Sequence, residues 1–534
     1  MRRAVPVLLL VLLVACRAEE AQPEVQPEAA DPNVAATTSG PVRGETVDGV
    51  RVFRGIPYAS PPVGDLRWKP PAPTTAWSEP RDALDFGTPC WQPRLEGFYS
   101  RGPIDRSEDC LYLNVWTRAA AGDALPVMVW IHGGALQIGH GHLPMYDGGA
   151  LTEKGVVLVS INYRLGVMGF LAHEELSAES PEGASGNYGI LDQIAALSWV
   201  RDNIAAFGGD PGNVTVFGES AGSWSVCLLY ASPLAGGLVH RAIGQSGGCF
   251  APYPALAADT PAGPSGHAVG ASLAEALSVE DLAGLRAIEA AALYEKIAEA
   301  EWTASGLVFV DGHLLPAEPR ALVEAGRNNR IPVMVGSNAH EGTTLFAGMG
   351  EVDEATYQAG VEQAWGDLAG EILDAYAEDA AVSPDTAQRR ILSDQYFAWQ
   401  MRAWARAQTA QGDPAWLYYF SHVPDLGGEY GTSMGAFHAA EIPYAFGNPT
   451  LGFGDGGDEL STRASDLEVT RLMTGYWTNF AKTGDPNGEG LPPWPRYAAD
   501  TDLTLEISAT PREIAGLRKA KLDIMDRFYA VEDE

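Results

Sequence analysis

One stretch constrains the fold more than any other. Residues 214–230, VTVFGESAGSWSVCLLY, read as a buried strand, a tight turn and a buried helix. Val214, Val216 and Phe217 are β-branched or aromatic, which suits a strand. Gly218-Glu219-Ser220-Ala221-Gly222 follows, and residues 224–230 continue as an apolar helix. A strand that ends in G-x-S-x-G and feeds a helix lifts a serine hydroxyl out of the top of a sheet, while the glycines let backbone pass close on either side. The chain has 60 glycines, and the bare pattern recurs at Gly244-Gln245-Ser246-Gly247-Gly248, after a strand-like run at 241–244. That copy leads into residues 248–254, GCFAPYP, which cannot start a helix cleanly. Context selects Ser220 as the candidate nucleophile and leaves Ser246 as a buried, hydrogen-bonded serine.

The rest of the chain repeats the alternation of strand and helix. Residues 126–131, PVMVWI, read as a buried strand that runs straight into His132-Gly133-Gly134-Ala135. Small residues at such a strand end leave backbone N–H groups pointing outward, the chemistry of an oxyanion hole. Residues 156–163, VVLVSINY, form a second strand. Between 187 and 207, Ile190, Ile194, Leu197, Val200 and Ile204 fall on a helical period, and Gly208-Gly209-Asp210-Pro211 ends it. Further strands are expected at 331–336 and 415–421. Helices are expected at 268–325 (interrupted at 309–316), 352–410, 465–482 and 512–529. Ser337 to Gly342 stand at the carboxyl end of one strand, and residues 435–444 lie in a loop. Strands alternating with helices predict an α/β fold with a large, mostly parallel sheet covered on both faces.

At 534 residues, length alone suggests about three domains. A formal charge of −34 argues against nucleic acid and polyanionic partners, whose phosphates would be repelled. The five cysteines show no C-x-x-C and no clustering with histidine, so a zinc site is not expected. Arg2 and Arg3 precede an apolar run at 5–14 that is too short to span a bilayer comfortably, so residues 1–16 read as an export signal. Leu13-Val14-Ala15-Cys16 resembles a bacterial lipobox, with Cys16 the lipidated residue. Residues 17–37, rich in Pro, Glu and Ala at their start, read as a disordered tether, and 38–534 as the folded part. The expectation is an exported lipoprotein whose membrane contact runs only through the N-terminal anchor, on the periplasmic or outer-membrane/cell-surface side.

The motifs together resemble the type-B carboxylesterase family of α/β-hydrolases, which includes para-nitrobenzyl-esterase-like enzymes and cholinesterases. The carriers are FRGIPYASPPVGDLRW, SEDCLYLNVW, PVMVWIHGGAL, the long run from NYGILDQ to GESAG, SNAHEG and GAFHAAEIPYAF. The resemblance covers nearly all of 38–529, so one catalytic domain with helical insertions around the active site replaces the three suggested by length. It implies a serine hydrolase that cleaves small-molecule carboxylic esters without a cofactor, with Ser220 as nucleophile, Glu341 as acid and His438 as base. It assigns oxyanion donors to the amides of Gly134, Ala135 and Ala221, a disulfide to Cys90 and Cys110, and ion pairs to Arg67–Glu108 and Arg164–Asp192. His340 and Glu441 are the rival base and acid. Glu219 reads either as a group that meets a cationic substrate or as a buried structural acid. The tryptophan that cholinesterases carry before the SEDC cysteine is missing near Ser100. Cys227 and Cys249, in apolar surroundings, are open between pairing with each other and remaining free, with free thiols the expectation. A catalytically silent binding protein, or an amidase, lactonase or lipase on the same triad, are the alternative readings.

Overall fold

In chain order the strands are β1 (Val34–Thr37), β2 (Gly40–Arg43), β3 (Glu45–Val47), β4 (Val50–Pro57), β5 (Arg81–Asp82), β6 (Tyr112–Thr117) and β7 (Leu125–Ile131). They continue with β8 (Val157–Ile161), β9 (Gly209–Glu219), β10 (Arg241–Gln245), β11 (Val333–Asn338), β12 (Ala415–Phe420), β13 (Leu503–Ile507) and β14 (Arg512–Ala515). The computed structural model describes residues 1, 31–93, 105–304, 306–350, 352–426, 432–448 and 463–531. Cys16, the apolar leader, residues 17–30 of the expected tether and Ser100 lie outside the described residues.

Eleven of these strands form one sheet, in the order β14-β13-β12-β11-β10-β9-β7-β8-β6-β4-β3. From β8 through β13 every neighbouring pair is parallel. The edges β3-β4-β6-β8 and β13-β14 are antiparallel. The period of two along each strand splits the side chains between two cores. Val127, Val129, Val214 and Val216 belong to one, with Ile190, Leu197, Val200 and Leu228 from the helices on that face. Met128, Trp130, Phe217 and Trp416 belong to the other, with Leu472, Met473 and Trp477 of the helix Ala464–Thr483. A strand buried on both faces cannot alternate apolar with polar, which is why these segments read as continuous apolar runs. Each such side chain is worth about 1.5–3 kcal/mol when fully buried.

Three expectations are corrected. The tether was expected to reach residue 37, yet β1 begins at Val34, with Ala35 buried against β2, and the compact unit starts at Asn33. The helix expected at 512–529 is a strand followed by a helix: Arg512–Ala515 pairs antiparallel with β13, and only Lys519–Val531 is helical. Four residues are too few to show a period, so pairing at a sheet edge decides. Cys227 and Cys249 are not free but disulfide-bonded, as are Cys90 and Cys110. Parallel pairing of β9 with β10 brings the helix after one strand beside the loop after the other, a contact that 22 residues of separation conceal. Among the described residues no helix is long and apolar enough to cross a membrane.

Candidate active site

The turn after β9 holds Ser220 at φ 57° and ψ −124°, a conformation costly for a residue with a Cβ. Its neighbours explain how it is held. A Cβ on Gly222 would lie 2.0 Å from the Ile131 carbonyl oxygen, and one on Gly218 would lie 2.6 Å from the Gly222 carbonyl carbon. Only glycine at both positions lets β7, β9 and the helix Ala221–Ala231 meet. The Ser220 amide donates to the Gln245 carbonyl at 2.8 Å, and its carbonyl accepts from Trp224 at 2.9 Å. A serine at a helix N-cap normally caps its own helix with its hydroxyl. Ser220 does not, which leaves Oγ available on a half-buried residue above a helix N-terminus.

Glu341 follows the carboxyl end of β11 and is 1% exposed. Its Oε1 accepts the Asn338 amide at 2.7 Å, and its Oε2 lies 2.7 Å from His438 Nδ1. His438 sits in the loop before the helix Ile442–Phe446, buried, with Phe397 packed on its ring at a centroid distance of 4.8 Å. His438 Nε2 has no hydrogen-bond partner among the described residues, and Glu219 Oε1 lies 3.1 Å from it. A base and its nucleophile are often not yet aligned before substrate arrives. Burial alone would lower the pKa of His438, but the charges of Glu219, Glu341 and Glu441, with the Glu341 hydrogen bond, outweigh it and raise the value to about 9.

The two rivals for these roles occupy supporting positions. His340 Nδ1 accepts the Ala436 amide at 3.1 Å, and its own amide donates to the Ala436 carbonyl, so it braces the His438 loop from outside. Glu441 is fully buried and accepts from Gln245 Nε2 at 3.0 Å and Asn338 Nδ2 at 2.5 Å. Burial, then the charge of Glu341, raises its pKa. Asn338 is the hub that sequence reasoning passed over. Its backbone holds Glu341, and its side chain holds Glu441 and the Phe437 carbonyl beside His438. The signal was its place at the end of β11, one strand over from Ser246.

The turn after β7 supplies the third component. The Gly134 carbonyl accepts from the amides of Gln137 at 2.9 Å and Ile138 at 3.0 Å, closing the turn. Gly134 has φ 109° and a Cβ there would lie 2.1 Å from the Ile138 carbonyl oxygen, so no side chain fits. Ala135 is also left-handed, at φ 56°. Among the described residues the amides of Gly134 and Ala135 have no acceptor. Gly139 and the Gln92 side chain exchange hydrogen bonds of 2.8 and 3.0 Å, which ties this turn to the chain beside the Cys90–Cys110 disulfide. Arg67–Glu108 and Arg164–Asp192 are each bidentate, the second fully buried. No group of three or more His, Cys, Asp or Glu side chains suited to a metal occurs among the described residues.

The geometry has the parts of an acyl-transfer centre: a strained serine on an elbow, an imidazole held by a carboxylate, and free amides at a neighbouring turn. Comparison with known proteins agrees. The carboxylesterase family model matches residues 31–525. Fumonisin B1 esterase of Sphingopyxis macrogoltabida is 39% identical over 474 residues, covering 86% of this chain and 84% of that one. Para-nitrobenzyl esterase of Bacillus subtilis is 38% identical, covering 89% and 95%. Among solved structures, a thermophilic para-nitrobenzyl esterase superposes with a TM-score of 0.80 at 33% identity over 93% of this chain and all of its own. A carboxylesterase of Geobacillus stearothermophilus superposes with a TM-score of 0.79 at 34% identity, covering 92% of this chain and all of that one.

Proposed function

Because the chain belongs to the carboxylesterase family and hydrolyses carboxylic esters as a serine hydrolase, we propose that Ser220, His438 and Glu341 are its nucleophile, base and acid. Ser220 Oγ attacks the ester carbonyl while His438 Nε2 takes its proton. The amides of Gly134, Ala135 and Ala221 receive the oxyanion. The intermediate collapses, the carbon–oxygen bond to the alcohol breaks, and Nε2 returns the proton to the departing oxygen. Water then repeats the sequence on the acyl-enzyme. Glu341 fixes the imidazole tautomer and stabilises the imidazolium. The observation that carries this assignment is the buried 2.7 Å contact of Glu341 with His438 Nδ1, close to the end of the Ser220 strand at Glu219. The test is labelling with a fluorophosphonate probe followed by peptide mapping. Modification of the Ser220 peptide, lost in His438→Ala, is expected. Modification of a different serine overturns the assignment.

The N-terminal reading adds a location. Arg2 and Arg3, the apolar run at 5–14 and Ala15-Cys16 support export and lipidation of Cys16, and two disulfides suit an oxidising compartment. Cys16→Ser is expected to move esterase activity from the membrane fraction to the soluble fraction. Unchanged fractionation counts against the anchor.

A further inference from the structure

We propose that a cavity of about 720 Å³ beside the oxyanion turn is the subsite for one arm of the ester, and that the arm it takes is uncharged and aromatic. The proposal rests on the reading of Gly134 and Ala135 as oxyanion donors. The cavity is walled by Trp91, Tyr294, Trp302, Val167, Ile297 and Gln137. Its volume lies within the roughly 300–1,000 Å³ that small-molecule sites occupy.

Three observations tie the cavity to the reaction. Gln137 is both a wall residue and part of the oxyanion turn, and its amide donates to the Gly134 carbonyl at 2.9 Å. Gln92, a second wall residue, is 1% exposed, and its side chain is bonded to Gly139 and to the Cys90 carbonyl, so the wall on this side is fixed rather than adaptable. On the far side a Cβ on Gly306 would lie 3.1 Å from the Ala135 carbonyl oxygen, so the chain that follows Trp302 and Thr303 packs directly on the same turn. An arm attached to a carbonyl held at Gly134 and Ala135 has this space next to it.

The walls set the chemistry of the arm. Trp91 and Tyr294 stack, with ring centroids 6.0 Å apart and planes 20° apart, and the Tyr294 hydroxyl donates to the Trp91 carbonyl at 3.1 Å. This leaves a rigid aromatic surface that suits a flat ring in offset or edge contact. Among the described residues the charged wall residues are one cation, Arg106, and one anion, Glu295, so these walls favour neither sign.

The test uses the full chain and two pairs of esters: ethyl acetate against ethyl 4-phenylbutyrate, which varies the acyl arm, and ethyl acetate against 4-phenylbutyl acetate, which varies the alcohol arm. Ala298, on the helix Ala290–Glu299, lines the cavity and is exposed, so Ala298→Trp fills the space without removing a buried contact. Trp302→Ala removes one wall. Each variant is expected to lower kcat/KM for the phenyl-bearing ester of one pair about tenfold, through KM, and to leave the small esters within about twofold. The pair that responds identifies the arm. Parallel losses for small and phenyl-bearing esters overturn the proposal, as does no change in either pair. So does an ethyl ester with a carboxylate in place of the phenyl ring that outruns the ethyl phenylbutyrate. Ser220→Ala on p-nitrophenyl acetate tests the triad separately. If that variant is inactive while Ala298→Trp changes nothing, only the subsite reading falls.

Discussion

The chain contains two G-x-S-x-G turns side by side, and their backbones are nearly the same. Ser220 has φ 57° and Ser246 φ 55°. Each follows a parallel strand, β9 or β10, and the two strands pair in register with Glu219 opposite Gln245. Each serine amide donates at 2.8 Å to the next strand over, Ser220 to Gln245 and Ser246 to Gly336. The differences lie in what surrounds the hydroxyl. Ser220 is half-buried and opens the helix Ala221–Ala231, while Ser246 is fully buried and precedes irregular chain. Glu219, before the first serine, lies 3.1 Å from His438 Nε2. Gln245, before the second, donates to Glu441 and accepts from Trp477. On the proposed assignment, a strained elbow makes a nucleophile when it also carries a helix N-terminus, an exit for the hydroxyl and a base.

The largest test of this contrast exchanges each hydroxyl for hydrogen. Ser220→Ala is expected to lower kcat for p-nitrophenyl butyrate by up to about 10⁶-fold, the scale on which losing a triad serine acts. Ser246→Ala is expected to stay within a few-fold of wild type. Steady-state rates on folded protein, checked by circular dichroism, decide it. A comparable loss in both variants would mean that the second elbow also takes part in the chemistry.

Next in size is the covalent tie between the two elbows. Cys227 lies in the helix that Ser220 opens, and Cys249 stands three residues beyond Ser246. In the chain-entropy model, closing a loop of about 22 residues is worth about 3 kcal/mol. The double variant Cys227→Ser, Cys249→Ser is expected to lose about that much in denaturant unfolding while keeping its initial ester rate. If stability is unchanged, the bond does no more than decorate a site already fixed by β9–β10 pairing.

That disulfide also marks the boundary of what the sequence discloses. The Ser220 elbow is legible because strand, turn and helix are contiguous, and each leaves a local pattern in residues 214–230. Glu341 and His438 are legible only as motifs of a resembled family, since nearly 100 residues separate them and no period links them. The contacts that exist only after the sheet is assembled are invisible: Cys227 with Cys249, Glu219 with His438, and Asn338 with Phe437 and Glu441. Glu219 was open between two readings from sequence. Its position is buried, and its charge acts on His438.

A pH profile examines that charge. In the proposed triad His438 must be neutral to accept the Ser220 proton, and its pKa in the folded protein is raised to about 9, so kcat/KM should fall as pH drops through about 9. Stability runs the other way. The protonated imidazole is favoured in the folded state, a contribution fully present below pH 6.5 and lost as pH rises toward about 9. Glu219→Gln removes one negative charge and should move the activity limb to lower pH. Ser246→Ala, on the second elbow, removes no charge and should leave the limb where it is. A limb that ignores Glu219→Gln would remove the electrostatic difference between the two turns.

The smallest effect concerns the silent serine itself. Sequence reasoning expected Ser246 to be buried and hydrogen-bonded, and it is buried, but its Oγ has no partner among the described residues. A buried hydroxyl without a partner carries its desolvation cost uncompensated. Ser246→Ala keeps the strained φ and removes only that oxygen. It is therefore expected to raise unfolding free energy by about 1 kcal/mol, at the low end of the cost of an unsatisfied buried group. Chemical denaturation of the variant beside wild type checks this. A loss of stability would mean that Ser246 Oγ is bonded, in solution, to an ordered water, and that the second elbow is held by its hydroxyl rather than merely tolerating it.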